Sequence, residues 1–306
     1  MDSYYLCPIY FFEYDGDQIQ LPEQVQIIKT PKELIDYLHN RYPHDLPTIL
    51  SETKWAIAIK NAPNNTTHLN IIKSFSHAVE VEDKAKYKLI DLITTLRLYK
   101  EGRIVAGLLT SGALQNSEWS VGGTTIWTPV SNILFFEEKP KYKIENHQVC
   151  DLVDLYKKVR NWRKLNILDK IDISLGRFHS SYHGDIENRL IDQMIAFESL
   201  YIGDNKELTY KLAMRTAFLL RKRKDHRKIV FDNMKKAYDF RSKIVHGNNP
   251  PSRIKLNEIV PKTQNYLRKS LIIFSELMSK GKSLKNIQEK LLDENIITIG
   301  ESLNIP

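Results

Sequence analysis

The segment from residue 237 to residue 250, AYDFRSKIVHGNNP, places an arginine and a histidine at the end of a predicted helix. Arg241 falls on the apolar stripe of that helix, between Ala237 and Val245, where a charge must be paired or must face a cleft. His246 lies in the last turn, where the negative end of the helix dipole favours the protonated imidazole. A guanidinium beside such an imidazole suits chemistry on a phosphodiester.

The end of this helix is predicted by the residues that follow it. Gly247 suits a left-handed C-cap, and the two prolines at 250 and 251 prevent the helix from continuing. Ser242 precedes His246 by four residues, so the two side chains share a face and the hydroxyl becomes a third candidate for the site.

The spacing of arginine and histidine occurs twice more in the chain and does not by itself identify a site. Arg221 and His226 lie in a basic stretch, RKRKDHRK, of the kind that usually forms a solvated helix end. Arg177 and His183 lie in a segment whose serines and glycine predict a loop. Context therefore singles out the pair at the end of the 227–246 helix.

Two other charges fall on predicted apolar stripes. Glu198 joins a stripe of isoleucines on the 185–202 helix, and Arg215 joins a stripe of leucines on the following helix. One interpretation is an internal ion pair between Glu198 and Arg215, and it is slightly favoured because a buried acid needs the nearest cation. In the other interpretation Glu198 faces Arg241 and belongs to the candidate site.

A metal site is weakly indicated. His179, His183 and Asp185 have a spacing that could hold a cation only on a helix, and Ser180, Ser181 and Gly184 favour a loop there. No fourth ligand lies nearby in sequence, so we expect neither a metal nor another cofactor.

The pattern of apolar residues predicts an α+β N-terminal domain, residues 1–145, followed by an all-α helical domain, residues 146–306. The first part contains strand-like segments and helices at 31–42 and 82–100, and we expect the glycines of EWSVGGTTIW to form a hairpin turn between strands. In the second part, long segments with a 3.6-residue period replace the short strand-like segments. The strand-like segments are YYLCPIYFFEY, KWAIAIK, HLNIIKSF, GRIVAGLL, GTTIW and NILFFEE, and the later helices are 147–165, 185–202, 206–224, 227–246, 258–280 and a weaker one near 283–294.

The positive charge is concentrated in the second half of the chain. Residues 1–150 carry 15 Lys and Arg against 18 Asp and Glu, whereas residues 151–306 carry 30 against 19. This asymmetry indicates a polyanionic partner such as nucleic acid, although ordinary solubilising charge is the alternative. The candidate phosphate-binding residues are Arg221, Lys222, Arg223, Lys224, Arg227 and Lys228, together with Lys243 beside the candidate site.

The composition predicts a soluble cytoplasmic protein with no membrane partner. Asp2 replaces the positive region that a signal peptide needs, and no apolar run approaches the ~18 residues that cross a bilayer. The two cysteines are too few for a disulfide framework, which is typical of a reducing compartment.

The stretch from GRFHSSYHGDIENRLIDQMIAFESLYIG through LTYKLAMRTAFLLRKRKDHRKI to MKKAYDFRSKIVHG resembles the HEPN superfamily, specifically its Apea-like domain. The resemblance covers about residues 175–250 and implies a helical bundle. It also implies a metal-independent endoribonuclease, often a toxin or an effector of antiviral defence, with Arg241 and His246 as catalytic residues. Ser242 stands where the superfamily more often has Asn, Asp or His.

The resemblance further implies RNA as the substrate and a homodimer that pairs two such sites. The remaining alternative is a non-catalytic HEPN module that binds nucleic acid or a protein, in which the arginine and histidine are structural. For the N-terminal domain the architecture implies recognition of a target or of a trigger, such as a protein or a phage-derived molecule.

Overall fold

The computed structural model describes residues 2–41, 53–60, 71–126, 141–203, 208–247 and 249–297. The chain forms two compact units, one of residues 1–134 with 138–160 and one of residues 135–137 with 161–306. The first contains an antiparallel sheet with helices and the second is mostly helical, as the sequence predicts. The division between the units falls after residue 160, inside the helix Val149–Lys164, whereas the sequence predicted a boundary at 145.

The N-terminal unit is built on a sheet with the strand order β3-β4-β5-β1-β7-β8, in which all neighbours are antiparallel. A short strand, β6, also pairs with β1, and β2 pairs with β9 in a separate parallel pair. The strands are β1 (Asp2–Tyr10), β2 (Phe12–Tyr14), β3 (Gln18–Leu21), β4 (Val25–Lys29), β5 (Trp55–Lys60), β6 (Val105–Ala106), β7 (Leu109–Gln115), β8 (Glu118–Ile126) and β9 (Tyr142–Ile144).

Both faces of this sheet are covered, and the alternation of side chains in β5 shows how. Ile57 and Ile59 belong to the core cluster that includes the second helix, α2 (Ile71–Tyr99). Ala56 and Ala58 point to the other face, in the cluster that includes α1 (Lys32–Arg41). Since successive strand residues face opposite ways, one strand supplies bulk to one core and small side chains to the other.

Two local predictions for this unit are wrong. HLNIIKSF was expected to form a strand, but α2 begins at Ile71. Gly122 and Gly123 lie within β8 instead of in a hairpin turn, and the turn before β8 is made by Asn116 and Ser117 with positive φ angles of 49° and 67°. The hairpin of β3 and β4 was not predicted, and NILFFEE lies outside the described residues.

The N-terminal unit contains a buried ion cluster centred on Arg160, a residue of α3 (Val149–Lys164). Its guanidinium donates to the fully buried carboxylate of Asp91 and, at 2.8 Å, to Glu23. Glu23 occupies the β3–β4 turn with a φ of 61°, a left-handed value that non-glycine residues rarely adopt. The guanidinium therefore joins the sheet turn, α2 and α3 through one group.

The C-terminal unit is a bundle whose longest helices are α6, α8 and α9. No helix among the described residues is both long and apolar enough to cross a membrane. The helices after α3 are α4 (Ile167–Lys170), α5 (Asp172–Ser180), α6 (Ile186–Tyr201), α7 (Leu208–Leu220), α8 (Lys224–His246), α9 (Arg253–Ser279), α10 (Leu284–Asn286) and α11 (Leu292–Ile297).

Helices α6 and α9 supply the core against which the others pack. Phe197 and Tyr201 of α6 are fully buried, and the ring of Tyr201 meets Phe274 of α9 at 5.0 Å between centroids. Pro261 lies inside α9, where it removes one backbone hydrogen bond, and the helix continues through it. Helix α5 was not predicted, and α9 begins at Arg253, before its predicted start.

Loss of Arg160 is expected to destabilise the N-terminal unit strongly. Arg160→Ala removes the cation that contacts the buried carboxylate of Asp91, and breaking a buried pair in this way costs on the order of 3 kcal/mol. Urea denaturation measures the free energy of unfolding. The control is Arg163→Ala on the same helix, because Arg163 pairs with the exposed Asp169 and should cost less than about 1 kcal/mol. Equal losses in both variants would contradict the role given to Arg160.

Candidate functional site

The candidate site lies on the C-terminal half of α8, and the packing of that helix differs from the prediction at one position. Val230, Met234 and Ala237 are buried, as the apolar stripe predicts. The stripe then continues to Phe240 and does not reach Val245, whose side chain is 50% exposed. The end of α8 is thus partly solvent-facing.

The predicted C-cap is confirmed. Gly247 adopts a left-handed φ of 68°, and its backbone N–H donates to the carbonyl of Ile244. A residue with a Cβ is strained in this conformation, so glycine allows the chain to leave the helix directly after His246. The side chain of His246 is exposed.

Arg241 is half-buried and keeps an unused donor. Its Nε atom is sealed from solvent and has no hydrogen-bond partner among the described residues. The guanidinium lies 6.0 Å from the ring centroid of Tyr238, one turn earlier on the same helix. A buried N–H without an acceptor costs about 1–3 kcal/mol, so the position is energetically demanding and calls for a ligand or another reason.

Tyr238 connects Arg241 to Glu198 on α6. Burial raises the pKa of the Tyr238 phenol, and the negative charge of Glu198 and a hydrogen bond to it raise the pKa further. The positive charge of Arg241 acts in the opposite direction. The phenol therefore remains protonated at neutral pH, and its pKa responds in opposite directions to the charges of Glu198 and Arg241.

Glu198 is half-buried, and its Oε1 atom has no hydrogen-bond partner among the described residues. The slightly favoured ion pair between Glu198 and Arg215 is wrong. Arg215 instead forms two hydrogen bonds to the carboxylate of Asp293, at 2.9 and 2.8 Å, and a third to the carbonyl of Tyr201 at 2.8 Å. Glu198 thus lies on the Arg241 side of the bundle, with Tyr238 between them.

The other two candidates on the helix end have different surroundings. Ser242 is half-buried. Lys243 pairs with Asp239 at 2.7 Å, and both side chains are substantially exposed. Such an exposed pair contributes little to stability and leaves the ammonium able to exchange partners.

The basic residues at the start of α8 differ in whether their side chains already have a partner. Lys222 and Lys224 are exposed and have no ion-pair partner among the described residues. The others make these contacts: Arg221 donates to the carbonyl of Leu220, Arg223 pairs with Asp225, Lys228 pairs with Asp232, and Arg227 donates to the carbonyl of Arg221. Two lysines are therefore the most available phosphate ligands of this stretch.

The histidines of the candidate metal segment are separated by a helix end. His179 is buried in the last turn of α5, and Asp185 caps α6 by accepting a hydrogen bond from the backbone N–H of Asn188. The described part of the chain contains no group of three or more His, Cys, Asp or Glu that could hold a metal ion. The free cysteines are the buried Cys7 and the exposed Cys150.

No protein-family model, curated protein or solved structure matches this chain. The site therefore has to be interpreted from its own residues. The sequence did not reveal two interactions, that of Tyr238 with Glu198 and that of Asp293 with Arg215. Tyr238 shares a face with Ser242 and His246, which placed it near the site but gave no indication of its link to Glu198.

The link between Glu198, Tyr238 and Arg241 predicts opposite effects of two charge-removing variants. Glu198→Gln should lower the pKa of Tyr238, because it removes the anion that disfavours the phenolate. Arg241→Gln should raise it, because it removes the cation that favours the phenolate. NMR titration of the Tyr238 ring, assigned with Tyr238→Phe, measures both. Shifts of the same sign would show that the three groups do not interact as described.

Proposed function

We propose that the protein is a HEPN-type, metal-independent endoribonuclease, a toxin or antiviral-defence effector in which the N-terminal unit recognises a trigger. The resemblance of residues 175–250 to that superfamily supports the assignment. So do the helical character of the C-terminal unit and the positive charge of the chain's second half. RNA is the substrate because it carries both the phosphodiester and an internal nucleophile, the 2′-hydroxyl.

The observation that carries this proposal is the half-buried guanidinium of Arg241, which has no ion-pair partner among the described residues and lies about 1.4 turns before an exposed histidine. A half-buried guanidinium needs anionic acceptors, and a phosphate supplies two in the planar geometry that arginine favours. The ring of Tyr238 lies beside this guanidinium, with its centroid 6.0 Å away, and the charge of Glu198 acts on the same tyrosine.

In the proposed reaction the 2′-oxygen attacks the adjacent phosphorus. A bond forms between the 2′-oxygen and phosphorus, and the bond from phosphorus to the 5′-oxygen breaks. Neutral His246 accepts the proton of the 2′-hydroxyl and, now protonated, gives it to the leaving 5′-oxygen. Arg241 stabilises the charge that grows on the non-bridging oxygens. The products are a 2′,3′-cyclic phosphate and a 5′-hydroxyl.

One helix does not bring the two catalytic groups together. Arg241 and His246 are separated by about 140° around α8 and about 7.5 Å along it. We therefore propose a homodimer in which the ends of two α8 helices approach a two-fold axis, so that the arginine of one chain meets the histidine of the other. The half-exposed Val245 and the exposed Ile254, which flank the turn after α8, provide apolar surface for such an interface.

Replacement of either catalytic residue should slow RNA cleavage, measured in EDTA, by about 10²-fold or more. His246→Ala removes the proton-transfer group, a loss of about 10²- to 10⁴-fold. Arg241→Lys keeps a positive charge but removes the planar fork, and should cost on the order of 10²-fold. Gel analysis of purified RNA measures the rate, and phosphatase treatment identifies the cyclic phosphate ends.

The matched control is His226→Ala, which removes an exposed histidine from the opposite end of the same helix and should keep full activity. Circular dichroism checks that each variant is folded. An absolute need for Mg²⁺, 5′-phosphate ends, or full activity in His246→Ala would contradict the assignment. RNA binding without any cleavage would instead favour the non-catalytic module.

The shared site predicts complementation between inactive chains. Light scattering at micromolar concentration should give twice the monomer mass of 35.7 kDa. Mixed dimers of Arg241→Ala and His246→Ala chains should recover part of the activity, because one of the two composite sites keeps both wild-type residues. A monomeric mass, or mixed dimers as inactive as the parents, would leave each chain without the partner that the proposal requires.

A further inference from the structure

A group of aromatic rings and cations lies along the side of α8 that faces α7. Tyr210 of α7 and Phe231 of α8 meet edge to face, with their centroids 5.7 Å apart and their planes at 78°. Tyr210 is nevertheless 54% exposed. Such a tyrosine presents a large flat surface to solvent beside a second ring.

Two cations lie over rings on the same side. The guanidinium of Arg227 lies 4.3 Å from the ring centroid of Phe218, and the ammonium of Lys235 lies 5.5 Å from that of Phe231. Arg227 is fixed further by its hydrogen bond to the carbonyl of Arg221 at 2.8 Å. This surface is the aromatic–cation face, and it consists of Tyr210, Phe218, Arg227, Phe231 and Lys235.

This face points along α8 towards the candidate site. Around the helix, Arg227, Lys235 and Tyr238 all lie within about 40° of Phe231. Arg227 and Arg241 are about 21 Å apart along the axis. A chain bound to the aromatic–cation face would therefore run from the basic stretch to Tyr238. Arg241 lies about 80° round the helix from Phe231, in the direction opposite to the aspartates.

The distribution of charge identifies the kind of ligand. Lys222 and Lys224, which are exposed and without ion-pair partners among the described residues, stand at one end of the face. The aspartates of α8 at 225, 232 and 239 lie about 80–120° away from Phe231, on a different side of the helix. Flat rings beside cations, with the acids turned away, match a polyanion that exposes flat apolar groups.

We propose that the aromatic–cation face binds single-stranded RNA by stacking an unpaired base on Tyr210, and that it leads the strand to Arg241. Single strands expose their bases, whereas a duplex hides them inside the helix and offers only its grooves and phosphates. An acidic peptide would satisfy the cations but not the rings. The choice of RNA, as opposed to DNA, rests on the proposed function.

The experiment uses a ligand that the protein cannot cleave. A fluorescent 2′-O-methyl oligouridine of about twelve nucleotides lacks the nucleophile and is long enough to span the whole face. Fluorescence anisotropy at constant salt gives its Kd for the full-length protein. Tyr210→Ala should weaken binding on the order of tenfold, and Tyr210→Phe should keep it, because stacking needs the ring and not the hydroxyl.

The matched control is Ile229→Ala, which removes an exposed apolar side chain, 57% accessible, from another side of α8 and should leave the Kd unchanged. A blunt-ended 2′-O-methyl RNA duplex of similar length should lose no affinity in Tyr210→Ala. Each of these results supports the proposal only together with measurable binding by the wild-type protein.

Four outcomes would overturn the proposal: no binding by the wild-type protein, an unchanged Kd in Tyr210→Ala, equal losses for duplex and single strand, or dissociation of the dimer in Tyr210→Ala. The last would show that a second copy covers the face. Failure of the proposed nuclease is separable from all four, because the oligouridine test involves no cleavage. A ring-dependent Kd together with an inactive wild-type enzyme would retain the face and reject the nuclease.

Discussion

The buried guanidinium of Arg215 is the interaction on which the C-terminal unit depends most. It donates to the carbonyl of Tyr201 at the end of α6 and to the carboxylate of Asp293 in α11. Gln288 adds hydrogen bonds to the carbonyls of Ser199 and Leu200. The last carbonyls of a helix have no partner within it, so these donors satisfy the end of α6 and link it to α7 and to the end of the described chain.

This arrangement determines where the acid of the candidate site lies. Glu198 precedes the capped carbonyls by only one turn, so fixing the end of α6 also fixes Glu198 against Tyr238. Because Arg215 already has an acid in Asp293, Glu198 is left to interact on the other side of its helix. The ion pair of Arg215 and Asp293 thus stabilises the bundle. Glu198, whose Oε1 has no hydrogen-bond partner among the described residues, remains at the candidate site.

The N-terminal unit also contains a largely buried arginine, but there the neighbouring acids are paired with it. Arg160 contacts Asp91 and Glu23, so its charge is matched by acids inside its own unit. A matched cluster of this kind specifies how a turn and two helices fit together, and its charge is already neutralised by acids. Arg241 differs in that its Nε–H is buried and unmatched among the described residues, which is why the site is assigned to α8.

The sequence by itself determined the α+β and helical parts, most helices of the second part, and the glycine cap after His246, because these follow from periodicity and local turn chemistry. Prediction from the sequence failed where contacts with residues distant in the chain decide the local structure. HLNIIKSF is apolar enough for a strand, yet α2 begins within it, and Val245 fits the stripe yet remains exposed. Only the tertiary structure decided the partners of Arg215, Glu198 and Tyr238, because the choice of Asp293 depends on folding a segment 78 residues away onto α7.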